Sequence, residues 1–187
     1  MTCPLPVIGF VRTSRRTPES TPVQSSLNRA EEGVLEIDER YAEGLTGLDG
    51  FDHAWILSWL GGATEPGAGP PAMTQVPFLL RPLRRRMGLF ATRGPRRVNP
   101  IGLSLVTLLD VTGRVVRFAG VDLVDGTPVL DIKPYVTRFD RPPGEPRCGW
   151  FDTTEMADGV TPTDLTDRTG LPDLTDLTDL TVPKTTD

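Results

Sequence analysis

RGPRRVNPIGLSLV, residues 93–106, is the stretch that decides the fold. Two turn pairs, Gly94–Pro95 and Asn99–Pro100, lead straight into an alternating apolar run. A turn opening onto period-two alternation predicts a strand rather than a helix. DLVDGTPVLDIKPY at 122–135 has the same plan, with Asp125–Gly126 as the turn and Val129–Lys133 as the strand. Gly and Asp at such strand mouths are expected to leave backbone N–H and C=O groups facing a ligand.

The pattern extends outward in both directions. Val7–Arg12 and Gly33–Asp38 read as strands, and Leu103–Val111 and Arg114–Val121 flank DVTG, a hairpin signal. His53–Leu60 is nearly continuous apolar sequence, which predicts a central strand buried on both faces. A short strand is expected at Met87–Thr92, one helical turn at Tyr41–Leu45 and a tight connection at Leu48–Phe51. Thr13–Asn28 and Gly61–Pro77 have no periodicity and read as long loops, which in compact domains often carry function. Before residue 150 no helical period lasts longer than two turns. Short strands between frequent turns predict a mainly β domain over residues 1–150, a barrel or a sandwich.

Residues 151–187 differ. Asp-Leu-Thr recurs at 164–166, 173–175, 176–178 and 179–181, and an acidic, small-polar repeat cannot cover a core. A disordered, low-complexity acidic tail is expected there. The net charge of −5 is therefore unevenly spread. Residues 1–150 hold 18 basic against 16 acidic side chains, and residues 151–187 hold 2 against 9. A low isoelectric point thus leaves a nucleic-acid partner open.

Cys3 and Cys148 are the only cysteines and His53 the only histidine, too few ligands for a zinc site. The N-terminus has no basic n-region followed by a long apolar stretch, and the apolar runs are strand-sized. Those features predict a cytoplasmic protein with reduced thiols, no membrane span and no metal.

Candidate chemistry gathers in three places. Arg81–Arg97 holds seven arginines in seventeen positions and could track a phosphate backbone. Arg93 and Arg97 flank the Gly-Pro turn, and one of them is expected to point inward toward a carboxylate. Asp122, Asp125 and Asp131 do not make an octahedral metal set on one strand–turn–strand, and a hydrogen-bonding turn is the simpler role for Asp125–Gly126. Asp131, Lys133 and Tyr135 would share one strand face, either to position a nucleophilic amine and take its proton or as an ion pair capping a barrel mouth. His53, beside Trp55 at a strand start, reads as a packing residue. No Rossmann fingerprint, P-loop or serine elbow occurs.

From residue 7 to 135 the chain resembles the TsaA/TrmO-like family. The matching blocks are FDHAWIL at 51–57, RMGLFATR at 86–93, NPIGLSLV at 99–106 and DLVDGTPVLDIKPY at 122–135. The resemblance implies a single small antiparallel β-barrel that dimerises and binds S-adenosylmethionine, and a methyl transfer to N6 of threonylcarbamoyl-adenosine beside the tRNA anticodon. It implies cofactor contacts from Pro22, Val23, Gln24, Gly61, Gly62, Arg93, Leu103, Leu123, Val124, Asp125 and Gly126. Beside these contacts, the residues themselves offer Arg96, Arg97 and Asn99 to face RNA, and Asp131, Lys133 and Tyr135 as the catalytic candidates. The family's ProArgGln stands here as Pro22-Val23-Gln24, its polar or basic pair as Gly61–Gly62, and its ArgProAsnPro as ArgValAsnPro. Two other readings stay open: methyl or alkyl transfer to a small metabolite, and a non-catalytic S-adenosylmethionine-binding module.

Overall fold

Alternation at period two becomes a closed six-stranded antiparallel barrel with the order β1–β2–β7–β6–β3–β8. The computed structural model describes residues 4–61 and 69–154. The barrel strands are β1 (Gly9–Arg12), β2 (Glu32–Ile37), β3 (His53–Trp59), β6 (Ile101–Thr112), β7 (Val115–Ala119) and β8 (Pro128–Pro134). Two further strands, β4 (Thr74–Gln75) and β5 (Met87–Gly88), form a separate two-stranded ribbon. Inward residues Val11, Leu35, Ile37, Ile56, Val106, Val116, Phe118 and Val129 fill the interior. Closure leaves no free sheet edge, so a small core suffices to cover every strand.

β6 is long enough to serve two neighbours. Its first half pairs with β3 (Trp59 opposite Ile101, His53 opposite Thr107) and its second half with β7, with a register shift between Leu108 and Asp110. A second irregularity lies between Leu57 and Ser58 where β3 meets β8. Bulges of this kind bend a strand and raise its twist, which helps a six-stranded sheet curl shut. The β6–β7 hairpin turns through Gly113 at φ +58. Gly113→Ala should cost about 1 kcal/mol, since a side chain at left-handed φ is strained; urea unfolding would measure it.

Three expectations need correction. β3 is buried on one face: Ala54, Ile56 and Ser58 point inward, while Trp55, Leu57 and Trp59 lie outside. Barrel closure gives each strand one interior face, and among the described residues the outer face of β3 is only half-buried at Trp55 and Leu57 and exposed at Trp59. Met87–Thr92 is not one strand, because only Met87–Gly88 pairs and Leu89–Ala91 coils into a 3-10 turn. The loop from Thr13 to Asn28 contains 3-10 turns at Pro18–Ser20 and Ser25–Leu27. Expected turns at 41–45 and 48–51 appear as 3-10 segments Glu39–Leu45 and Leu48–Gly50. Gly149–Thr153 forms another, whose buried Trp150 donates its indole N–H to Ala91 O at 2.8 Å. The Asp-Leu-Thr repeats lie outside the described residues.

Candidate functional site

Strand direction puts the ends of β1, β3 and β7 and the starts of β2, β6 and β8 at one mouth of the barrel. The 122–126 turn, the 13–28 loop and Arg93 converge there. Gly126 has φ +78, and the turn closes with Thr127 N–H on Val124 O at 3.1 Å. Asp125 accepts from Thr13 N–H at 3.2 Å and pairs with Arg16. Thr13 donates its hydroxyl to Leu123 O at 3.1 Å. The expectation that this turn leaves its amides to a ligand does not hold at two positions. Asp125 N–H donates to Arg15 O and Gly126 N–H to Val11 O, both at 2.8 Å, because the β1–β8 ladder continues into the turn.

Asp122 is the hub of this mouth. One carboxylate oxygen accepts from the Ser104 hydroxyl at 2.7 Å, the other from Ser25 N–H at 2.9 Å. A strand of the barrel is thereby tied to the first long loop, 97 residues away in sequence from Asp122. Burial pushes the Asp122 carboxyl up to about 6, against the pull of Ser104, of Ser25 and of the Arg93 charge. Next to Ser25 in the chain, Gln24 Oε1 accepts from Arg93 Nε at 3.2 Å and from its terminal nitrogen at 2.9 Å. One oxygen thus takes two donors of the guanidinium fork, as a ligand carboxylate oxygen would. Pro22 is buried and Val23 half-buried beside Gln24.

The loop is held from its other side as well. Arg15 grips Glu31 through Nε at 3.0 Å and a terminal nitrogen at 2.5 Å, and donates to Ser20 O at 2.8 Å. Asn28 bridges Glu31 and Val121 O at 2.7 and 2.8 Å. The cradle under Arg93 is therefore built, and does not depend on loop entropy falling when a ligand arrives.

The remaining candidates spread over the outer wall. Leu103 is 46% exposed on β6, in one lateral row with Leu57 of β3 and Asp131 of β8. Asp131 and Lys133 pair at 2.8 Å on this outer face, and the pair raises the Lys133 ammonium through its hydrogen bond to Asp131. Tyr135 packs on His53 and Trp55 with ring centroids 6.3 and 6.2 Å away. The trio shares a face, as alternation required, but runs along the wall and ends at the far mouth. Gly61 leaves no room for a Cβ, which would stand 2.3 Å from the Trp59 indole nitrogen; Gly62 lies outside the described residues. Arg97, not Arg93, is the inward arginine, donating to Leu89 O and Thr92 O at 3.3 and 2.9 Å. Arg96 and Asn99 are exposed.

Ser25 and Thr13 carry no site signal in the sequence, and Asp122 stands out there only as one of three aspartates weighed as a metal set, not as the anchor of the loop. Ser104 carries one legible sign, a polar residue at an inward position of an alternating strand. Among the described residues no group of three or more His, Cys, Asp or Glu could hold a metal ion, and no helix is long and apolar enough to cross a membrane.

Comparison with known proteins adds four findings. A family model described as the tRNA-methyltransferase O N-terminal domain matches residues 10–141. A probable S-adenosyl-L-methionine-binding protein of Pyrococcus abyssi is 36% identical over 147 residues, covering 78% of this chain and 74% of that protein. The tRNA (adenine(37)-N6)-methyltransferase of Escherichia coli is 37% identical over 139 residues, covering 69% of this chain and 56% of its own length. The crystal structure of TrmO from Pseudomonas aeruginosa superposes with a TM-score of 0.64 at 33% identity, covering 81% of this chain and 62% of that one. The chain thus spans less than two thirds of the solved TrmO structure and of the Escherichia coli enzyme.

Proposed function

The chain belongs to the tRNA-methyltransferase O N-terminal domain family, and from that membership we propose that it is an S-adenosylmethionine-dependent methyltransferase acting on N6 of threonylcarbamoyl-adenosine beside the tRNA anticodon. The observation that carries the cofactor half is the Arg93 fork. Gln24 Oε1 already takes two of its donors, and Asp122 anchors the same loop from below. Arg93 would hold the methionine carboxylate, with Gln24, Pro22, Val23 and the Leu123–Gly126 turn around it and Leu103 as an apolar wall. Gly61 would complete the rim.

Bound S-adenosylmethionine supplies a methyl group on a sulfonium, so the bond that breaks leaves a neutral thioether. The protein's task is then alignment and exclusion of water. Asp131 accepts the proton or hydrogen bond of the acceptor nitrogen as the new N–C bond forms. Lys133 is unsuited to that part: paired with Asp131 it stays protonated at neutral pH, and it orients the carboxylate. Tyr135, fixed on Trp55 and His53, borders the same wall.

Arg96 and Asn99 lie beside Arg93 in sequence and would meet RNA, with Arg97 bracing the turn from which they project. Binding of tRNA carrying threonylcarbamoyl-adenosine should fall with rising salt at a log–log slope of about −3, at roughly 0.7–0.9 per neutralised phosphate. Filter binding at several salt concentrations measures it. If tRNA is neither bound at low salt nor methylated, the acceptor is a small metabolite, a reading favoured by Val23 in place of the family arginine. Turnover on any acceptor rules out a purely binding role.

We also place the enzyme in the cytoplasm as a homodimer. The dimer is supported by the apolar row on the outer wall, where Trp59, Ile101 and Leu103 are 36%, 39% and 46% exposed. Light scattering on the full chain tests it, and a monomer at working concentration would remove it.

A further inference from the structure

Phe90, the single aromatic of the arginine-rich segment Arg81–Arg97, is 78% exposed, and the site described above makes no use of it. An apolar ring left in water forgoes the burial that usually holds a phenylalanine in a core. Here the backbone gives it no choice. Leu89 is buried and its N–H bonds Met73 O at 2.8 Å, Thr92 donates its hydroxyl to Leu89 O at 2.8 Å, and Trp150 binds Ala91 O at 2.8 Å. The residues on either side are anchored and Phe90 projects between them. Arg97, fastened to Leu89 O and Thr92 O, sets its guanidinium 6.0 Å from the Phe90 ring centroid. The ring is braced by that cation, and Arg93 follows three residues later.

The surroundings say what such a ring would meet. No Asp or Glu occurs between Glu65 and Asp110, while seven arginines fall in that interval. Arg84, Arg85, Arg86 and Arg96 are exposed. Arg84 adopts left-handed φ +48, closing the turn in which Arg84 N–H bonds Arg81 O and Arg85 N–H bonds Leu80 O. A residue other than glycine is strained in that conformation, yet an arginine stands there. A segment rich in guanidinium and without carboxylate suits a polyanion, and a rigid aromatic among arginines suits an unstacked base.

We propose that Phe90 is a stacking platform for an unpaired nucleobase of the RNA, with the flanking arginines holding the adjacent phosphates. The proposal rests on the RNA-acceptor reading and deepens it, since it specifies a single-stranded region with a base turned out of its stack. A duplex presents no free base face at this depth, so the loop of a hairpin is the part engaged.

The test uses the full chain as wild type, Phe90→Ala, Phe90→Leu and Phe90→Trp, with an RNA hairpin containing the anticodon loop and versions made abasic at each loop position. Phe90→Ala and Phe90→Leu should each weaken hairpin binding about fivefold to thirtyfold, and Phe90→Trp should restore it. S-adenosylmethionine affinity should stay unchanged in all three. The salt slope should also stay unchanged, because stacking releases no counterion, whereas loss of a phosphate contact would flatten it. One abasic hairpin should bind wild type and Phe90→Ala equally, identifying the stacked base. Wild-type binding with no loss in Phe90→Ala overturns the platform and leaves the RNA reading standing. A Phe90→Leu protein that binds like wild type reduces the ring to apolar bulk and also overturns it. A shift of Phe90→Ala to a smaller species in light scattering makes Phe90 a contact between chains instead. No RNA binding by the wild type defeats the RNA reading itself, and the platform with it.

Discussion

Arg93→Ala lowers affinity for S-adenosylmethionine about 30- to 150-fold, equivalent to the roughly 2–3 kcal/mol of a charge-assisted, two-donor contact to a carboxylate. Calorimetric titration at neutral pH measures it. Thermal stability should move by no more than about 2 °C, because Arg93 is exposed and its bond to Gln24 is a surface one. Arg93→Lys should recover only part of the loss, since an ammonium cannot present the planar fork that meets two lone pairs at once. Equal affinity in wild type and Arg93→Ala would remove the cofactor from this mouth of the barrel, and the reading of the Pro22–Gln24 loop would go with it.

The largest effect on stability is expected at Asp122. Asp122→Ala leaves the Ser104 hydroxyl and Ser25 N–H without their shared acceptor and should cost about 2–4 kcal/mol in urea unfolding. It also frees the segment that presents Gln24 to Arg93, so S-adenosylmethionine affinity should fall in the same protein. Asp122→Asn separates charge from hydrogen bonding. Its amide oxygen can accept from Ser25 N–H while its NH2 group donates to Ser104, and the site keeps its shape.

The two proteins should differ most in pH dependence. Burial raises the Asp122 carboxyl to about 6 in the fold, against about 3.9 in an unfolded chain. The folded state therefore holds this proton more tightly. Its stabilising contribution is complete below about pH 4, declines as pH rises toward 6, and is flat above. Wild type should lose stability relative to Asp122→Asn across that window, and the two curves should run parallel above it. Parallel curves from pH 4 to 8 would mean that the carboxylate is not desolvated as described. Above pH 6 the ionised carboxylate faces the Arg93 charge, so the energetic cost of burying it falls where Arg93 must be held ready.

Much of this architecture was legible as pattern. The apolar stretches Leu103–Val111 and Arg114–Val121 with DVTG between them predicted the hairpin, and the structure pairs Thr107–Thr112 with Val115–Ala119. Asp125–Gly126 was readable as a turn because glycine is suited to a position that needs φ +78. What misled was hydrophobicity without periodicity. His53–Leu60 read as doubly buried because Trp55, Leu57 and Trp59 are as apolar as Ile56, yet they lie on the outer wall. Composition cannot tell a second core layer from an exposed apolar wall. Arg93 and Arg97 were likewise equivalent on paper. Only the carbonyls of Leu89 and Thr92, brought within reach by a 3-10 turn, turned Arg97 inward and left Arg93 to Gln24.

The amino-acid sequence alone determined the barrel strands, their turns and the blocks that mark the family, because each depends on neighbours a few residues apart and on the period of two. Closure into a barrel decided the rest. It set Ser25 against Asp122 and Gln24 against Arg93, pairs separated by 97 and 69 positions. No local propensity encodes such meetings. They exist because six strands must share their hydrogen bonds around one interior, and that requirement carries the first long loop across the mouth to where a buried carboxylate can hold it.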